Sequence, residues 1–139
     1  MKILVIDAQG GGIGRQLISC LKASLANIEI TAVGTNSLAT SAMIKAGCDH
    51  AATGENAVKV CCRKADVIVG PIGIAIADSM LGEVTAEMAA AVGCSEAARF
   101  LIPLSHCDSV IIGVTETNTG RLVEEAVRAI AAYQKESGL

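Results

Sequence analysis

The sequence predicts an α/β protein built on one doubly wound, mostly parallel sheet of about six strands, with helices on both faces. Short apolar runs alternate along the chain with segments whose apolar residues recur at helical spacing, which indicates crossover connections between parallel strands. A glycine-rich turn joins the first strand to the first helix. The length of 139 residues and the hydrophobic share of 52% suit a single domain over residues 1–139 with its own core.

Six apolar runs have the length and composition of buried strands. They are Lys2–Asp7, Ile28–Gly34, "CDHAA" (48–52), Asp66–Ile72, "RFLIPL" (99–104) and "SVIIGV" (109–114). The last two runs are separated by only a few residues, whereas a parallel crossover needs about a dozen or more. We therefore expect an antiparallel pairing at one edge of the sheet.

Five helices are predicted between and after these strands. The first carries a stripe of Ile13, Leu17, Leu21 and Leu25, one turn apart. The others are a helix to Ala46 that Asn36 or Ser37 caps and Gly47 ends, a short helix over Glu55–Lys64, a helix to Val92 that Thr85 caps, and a final helix over Gly120–Lys135.

The composition argues against several classes of function. The net charge is −3 and the pI about 5.3, so no basic stripe neutralises nucleic-acid phosphates. One Phe, one Tyr and no Trp leave no aromatic platform on which bases could stack. The start "MKILVIDAQ" is not a secretory signal, and no apolar run has the length of a membrane span. We expect a cytoplasmic protein that binds neither nucleic acid nor membrane, with six reduced cysteines.

The stretch "VIDAQGGGIGRQL" (5–17) places glycines where a dinucleotide-binding, Rossmann-like fold has its phosphate loop. Glycine lets a phosphate approach main-chain amides, and the helix N-terminus adds roughly half a positive charge. The spacing is incomplete in each alignment with a known glycine motif. In G-x-G-x-x-G, Gln9 replaces the first glycine if Gly11 and Gly14 are the other two, and Arg15 replaces the third if Gly10 and Gly12 are the other two. In the G-x-x-x-G-I-G of dehydrogenases, Ala8 replaces the first glycine. The predicted binding residues are Gly10, Gly11, Gly12, Ile13, Gly14 and Arg15. The alternative is a purely structural turn with a solvated Arg15.

The second predicted strand ends without the acid that normally holds a ribose diol. "AVGTNS" offers Thr35, Asn36 and Ser37, which either bond a ribose or phosphate or form an ordinary loop and cap. The ligand is therefore expected to be NAD(P) or another nucleotide, without a choice between them.

The fourth predicted strand ends at Gly70, Pro71 and Gly73, which would line the same crevice, or else form a structural loop. Beyond them, Asp78 and Glu83 either form a polar wall of that site or are simply solvated.

"SHCD" (105–108) follows the fifth predicted strand, and His106 beside Cys107 makes Cys107 the thiol expected to react fastest. Adjacency alone does not supply a base for a nucleophile, so catalysis there is not predicted. No C-x-x-C or H-x-x-x-H spacing indicates a metal site, and Cys61 and Cys62 fit a buried apolar role.

The whole chain resembles a small bacterial family of unknown function, on the stretches "ILVIDAQGGGIG", "AVGTNSLATSAMIKAG", "ATGEN", "DVIVGPIGIAIADSMLGE" and "LIP". This resemblance implies a Rossmann-like fold and no established activity. The beginning is also similar to the regulatory nucleotide-binding domains of potassium transport systems. The Tyr-x-x-x-Lys pair of short-chain dehydrogenases is absent, since the only tyrosine is Tyr133.

Three classes of function follow, and whether the protein is an enzyme stays open. The first is a nucleotide-binding sensor or subunit without chemistry of its own. The second is a small oxidoreductase-like enzyme at the same crevice, and the third is a non-catalytic interaction module. The small, apolar chain also predicts a homo-oligomer, associating through the final helix or the edge strand.

Overall fold

The computed structural model describes residues 1–104 and 109–139. The strands are β1 (Lys2–Asp7), β2 (Glu29–Gly34), β3 (His50–Thr53), β4 (Val67–Pro71) and β5 (Ala98–Ile102). The helices are α1 (Gly12–Ser24), α2 (Ser37–Lys45), α3 (Glu55–Cys62), α4 (Ala86–Gly93) and α5 (Thr119–Ser137). A short 3-10 helix, Ile72–Ala75, follows β4 directly.

The described strands form one sheet in the order β3-β2-β1-β4-β5, and each neighbouring pair is parallel. This is the strand order of a Rossmann fold. The chain leaves β1 on one side towards β2 and β3, and returns on the other side through β4 and β5. The order therefore reverses between β1 and β4, and a crevice opens at their carboxyl ends, where ligands bind in sheets of this kind.

The core consists of two layers of aliphatic side chains, one on each face of the sheet. On β1, Ile3 and Val5 face α1, α2 and α5, whereas Leu4 and Ile6 face α3 and α4. All four are almost fully buried, which explains why the strand is a continuous apolar run and not an alternating one. Burial of each such side chain stabilises the fold by roughly 1.5–3 kcal/mol.

The sequence predictions of five helices and of the first five strands are confirmed, with ends that differ by a few residues. Asn36 caps α2 by accepting a hydrogen bond from the Ala39 amide, and Thr85 caps α4 through the Met88 amide.

The sixth strand is the exception, since residues 109–114 do not join the described sheet. The expected antiparallel edge is also wrong, because it required residues 109–114 to pair as a strand, and every described pair of strands is parallel. Val110 and Ile112 are 87% and 91% exposed, whereas Ile111 between them is half-buried. An apolar run predicts a tendency to be buried, but it does not supply the strand that would pair with it. Here α5 packs on β5 and contributes the last layer of the core.

We predict that Gly70→Ala destabilises the fold, because a Cβ at Gly70 would meet the carbonyl oxygen of Ile6 on the neighbouring strand and lie 3.0 Å from Cδ1 of Ile74. Overpacking of this kind costs about 1–3 kcal/mol. Urea unfolding followed by circular dichroism measures the loss. Gly93→Ala is the matched control, since nothing lies within 4 Å of a Cβ there. An unchanged midpoint for Gly70→Ala would contradict the close approach of β1 and β4.

Candidate functional site

The crevice between β1 and β4 contains a cavity of about 230 Å³. Its wall is the glycine-rich turn, residues 7–13, together with Gln16, Pro71, Met80, Leu104 and Thr119. These residues come from the carboxyl end of β1, the start of α1, the ends of β4 and β5, and the start of α5. The cavity therefore lies at the switch point of the sheet, where the topology places a binding site.

Two of the turn's glycines are required by the packing of the protein itself. Gly11 has φ +71°, and a Cβ there would lie 2.7 Å from the carbonyl oxygen of Ala39. A Cβ on Gly14 would lie 2.5 Å from Sδ of Met43 and 3.0 Å from Cβ of Asp7. These glycines let the turn and α1 pack closely against α2 and β1.

The other two glycines have no such reason within the described chain. A Cβ at Gly10 or Gly12 would meet nothing within 4 Å, and both residues line the cavity. Their amides form no hydrogen bond with another described residue. The structure thus separates two architectural glycines from two that border open space at a helix N-terminus.

Asp7 fixes the geometry of the turn. Asp7 is only 4% exposed, and its carboxylate accepts hydrogen bonds from the amides of Ala8, at 2.8 Å, and Gly14, at 2.7 Å. Burial raises the pKa of Asp7, the hydrogen bonds from Gly14 and Ala8 oppose the rise, and the negative charge of Glu83 adds to it. A protonated Asp7 leaves the helix N-terminus without a competing negative charge, whereas an ionised one offsets it.

The end of β2 is linked to this turn by Glu83, from the loop between β4 and α4. Oε1 of Glu83 accepts hydrogen bonds from the Gln9 amide at 3.1 Å, Thr35 Oγ1 at 3.0 Å and Asn36 Nδ2 at 2.6 Å. Thr35 and Asn36 therefore lie beside the glycine-rich turn, and Asn36 also caps α2, as one sequence interpretation held. Ser37 is exposed and is not part of the cavity wall.

The loop that carries Glu83 has an unusual backbone. Asp78, Met80 and Leu81 have φ values of 62°, 54° and 59°, in the left-handed region that non-glycine residues rarely adopt. The Asp78 amide donates to the Val84 carbonyl at 2.8 Å, and Ser79 Oγ donates to the Gly73 carbonyl at 2.5 Å, which ties the loop to the 3-10 helix. Such a backbone persists where its surroundings fix it, and it brings Met80 into the cavity wall.

The candidate residues at the end of β4 have different positions. Pro71 lines the cavity, whereas Gly70 packs against β1 and Gly73 is buried in the 3-10 helix. At the start of α1, Ile13 lines the cavity, but Arg15 is exposed and outside its wall.

Sequence reasoning did not identify Gln16, Met80, Leu104 or Thr119 as wall residues. Gln16 lies one helical turn after Gly12, so the helix prediction itself could have indicated it. His106 and Cys107, with the rest of "SHCD", lie outside the described residues.

A larger concave surface, about 630 Å³, lies between α3 and α4, and the charged side chains that line it are Lys59, Arg63, Glu87 and Glu96. Four alanines form much of its wall, and Lys59 pairs there with Glu87 at 2.8 Å. Cys62 also lines it, and burial raises the pKa of its thiol to about 11, which keeps it protonated and unreactive.

In the described part of the chain, no group of three His, Cys, Asp or Glu side chains is arranged to hold a metal ion. None of the described helices combines the length and the apolar character needed to cross a bilayer.

The sheet order and the glycine-rich turn at the switch point define a Rossmann-like α/β protein. The chain belongs to the family described as "Domain of unknown function (DUF3842)", whose model matches residues 2–135. The family of unknown function expected from the sequence is thereby confirmed. No curated protein matches the sequence.

Solved structures with a similar arrangement include a dodecameric FMN-dependent UbiX-like decarboxylase from Escherichia coli O157:H7. It is 15% identical, with a TM-score of 0.43, over 100% of this chain and 95% of that one. Another is AibC, 19% identical with a TM-score of 0.46, over 94% of this chain and 38% of that one.

We predict that Asp7→Asn gains stability relative to the wild type as the pH rises from about 4 through the folded-state pKa of Asp7. The folded-state pKa of Asp7 lies above its ordinary value of 3.8. The protonated form therefore stabilises the fold fully below 3.8, and this contribution is lost as the pH rises through the folded-state pKa. Asparagine is neutral throughout and loses nothing in that window.

Urea unfolding of both proteins at several pH values measures the difference between their free energies of unfolding. The contributions of the other titrating groups are common to both proteins and cancel in this difference. The absolute stability of Asp7→Asn does not test the prediction. The side-chain amide that replaces the carboxylate carries a donor of its own, which faces the backbone donors of Ala8 and Gly14. A difference that stays constant with pH would show that Asp7 does not titrate in this window.

Proposed function

We propose that this protein binds a phosphate-bearing nucleotide or dinucleotide at the Gly10–Arg15 turn, as a sensor or subunit without chemistry of its own. The observation that carries the proposal is the open space at Gly10 and Gly12. Glycine costs roughly 0.5–1 kcal/mol relative to alanine in a helix or strand. At these two positions the described packing does not demand glycine, but a phosphate in contact with the backbone would.

The electrostatics favour a ligand that carries negative charge. The amides of Gly10 and Gly12 and the first turn of α1 border the cavity, and they supply donors and a partial positive charge. Burial raises the pKa of Asp7, and a phosphate nearby would raise it further. A cavity of about 230 Å³ holds a phosphate group and part of a sugar, so the rest of a nucleotide would extend along the sheet edge.

Binding without chemistry fits the described wall better than catalysis does. Its one acid, Asp7, has its two oxygens engaged by the amides of Ala8 and Gly14, so it is poorly placed to transfer a proton to a ligand. The other polar side chains of that wall, Gln9, Gln16 and Thr119, bind and orient but do not titrate.

The central test is Gly12→Asp, which places a carboxylate where the phosphate is proposed to lie. Like charges about 4 Å apart repel by about 4 kcal/mol at an effective dielectric constant of about 20. We expect affinity for whichever of NAD(H), NADP(H) and ATP the wild type binds to fall at least tenfold, roughly the effect of 1.4 kcal/mol. Isothermal titration calorimetry at fixed salt measures it.

Gly93→Asp is the matched control, because it makes the same change at a glycine with open space at the far end of α4. It should bind like the wild type. Wild-type affinity in Gly12→Asp would remove the turn as the binding site and leave the interaction-module alternative. Turnover of a bound nucleotide would favour the enzyme alternative instead.

We also propose that copies of the chain associate through the segment 109–114 beside the edge strand β5. Val110 and Ile112 stand in solvent, and the outer edge of β5 pairs with no other strand of the described residues. Exposed apolar side chains and open sheet edges both favour association with another chain.

The double substitution Val110→Asp with Ile112→Asp should shift the protein to monomer at tens of micromolar in sedimentation velocity, because it places two charges in an apolar contact. The fold should be unaffected, since both side chains are exposed in the single chain. Leu38→Asp serves as the control, because Leu38 is an apolar residue on α2 that is 68% exposed. A wild type that is monomeric under these conditions would refute the proposal.

A further inference from the structure

The carboxylate of Glu83 lies at the end of β2, the strand end that carries the ribose-binding acid in other Rossmann folds. In that fold, an acid near the end of the second strand accepts hydrogen bonds from ribose hydroxyls. Here β2 ends in Gly34 and is followed by Thr35, Asn36 and Ser37, none of them acidic. Glu83 arrives instead from a loop nearly fifty residues later and bonds Thr35 and Asn36 directly.

The hydrogen bonds of Glu83 change the chemistry of this corner of the crevice. Thr35 Oγ1, Asn36 Nδ2 and the Gln9 amide are all donors towards Glu83, and donors alone would suit an anionic group such as a phosphate. All three converge on Oε1. No hydrogen bond joins Oε2 to another described residue, and the side chain is half-buried. The corner therefore presents a carboxylate oxygen, an acceptor with negative charge, in place of three donors.

Glu83 lies outside the wall of the cavity at the glycine-rich turn, and two contacts connect it to that wall. Gln9 lines that cavity and donates its amide to Glu83. The same loop places Met80 in the cavity wall, three residues before Glu83. Its closure by the Asp78–Val84 hydrogen bond and its attachment through Ser79 fix where the carboxylate lies. A nucleotide with its phosphate at Gly10 and Gly12 would thus extend its sugar towards Glu83.

We propose that Glu83 recognises the 2′,3′-diol of a nucleoside ribose, so that the crevice selects nucleotides with an unmodified ribose over 2′-phosphorylated and 2′-deoxy forms. This inference rests on the proposed function and specifies its ligand class. A ribose hydroxyl donates to Oε2, whereas a 2′-phosphate meets a like charge and a 2′-deoxy sugar leaves the acceptor without a donor.

The experiment is a titration of the wild type, Glu83→Gln and Glu83→Ala with NAD⁺, NADP⁺, ATP and 2′-deoxy-ATP. The wild type should prefer NAD⁺ to NADP⁺, or ATP to 2′-deoxy-ATP, by about tenfold or more, the effect of one hydrogen bond to a charged group. In both variants these ratios should fall towards one. In Glu83→Ala, NADP⁺ should bind more tightly than it binds the wild type, because the donors are then free for the 2′-phosphate.

Glu136→Gln, on the exposed end of α5, is the control and should leave every ratio unchanged. Glu83→Gln keeps the shape of the side chain, so it provides the test if Glu83→Ala fails to fold. Ratios near one in the wild type, or ratios that Glu83→Gln does not change, would overturn the inference while nucleotide binding stands. If all four nucleotides bound more tightly, and by the same factor, to the variants than to the wild type, the inference would also be overturned. Glu83 would then oppose the binding of every nucleotide and would not recognise the ribose. A wild type that binds none of the probes defeats both the proposed function and this inference.

Discussion

The site depends on the hydrogen bonds that the Asp7 carboxylate accepts from the amides of Ala8 and Gly14. They tie the last residue of β1 to the first turn of α1 across the glycine-rich turn. The cost is a buried carboxylate with a raised pKa, which is tolerated because charged hydrogen bonds offset part of the desolvation. Without that link the turn would lose the contact that sets its shape, and the amides of Gly10 and Gly12 would lose their fixed place beside the cavity.

A division of roles follows from this geometry. β1 and α1 supply the donors and partial positive charge suited to a phosphate, while the loop after β4 supplies the acceptor at the neighbouring corner. The two parts are far apart in sequence and meet only because the sheet places β4 beside β1. The same strand order that builds the core therefore also assembles the candidate site from separate segments.

The sequence predicts those structural elements that depend on interactions between residues close together in the chain. The continuous apolar run of β1, the stripe on α1 and the caps at Asn36 and Thr85 are local signals, and the structure contains each element they predict. The contact of Glu83 with Thr35 is different, because no spacing rule joins residues that meet only through tertiary packing. Residues 109–114 show the other limit: their hydrophobicity is clear in the sequence, but whether a sheet edge pairs with them depends on the whole fold.

The close packing of Gly11 against Ala39, and of Gly14 against Met43, has a consequence for the kinetics of binding. The turn cannot rearrange without moving α2, so its shape is set before any ligand arrives. A preorganised site has little ordering entropy to lose on association, and a ligand meets it essentially as a rigid body. Association should then proceed in a single step governed by diffusion and orientation, and differences in affinity between ligands should arise mainly from how slowly each one dissociates.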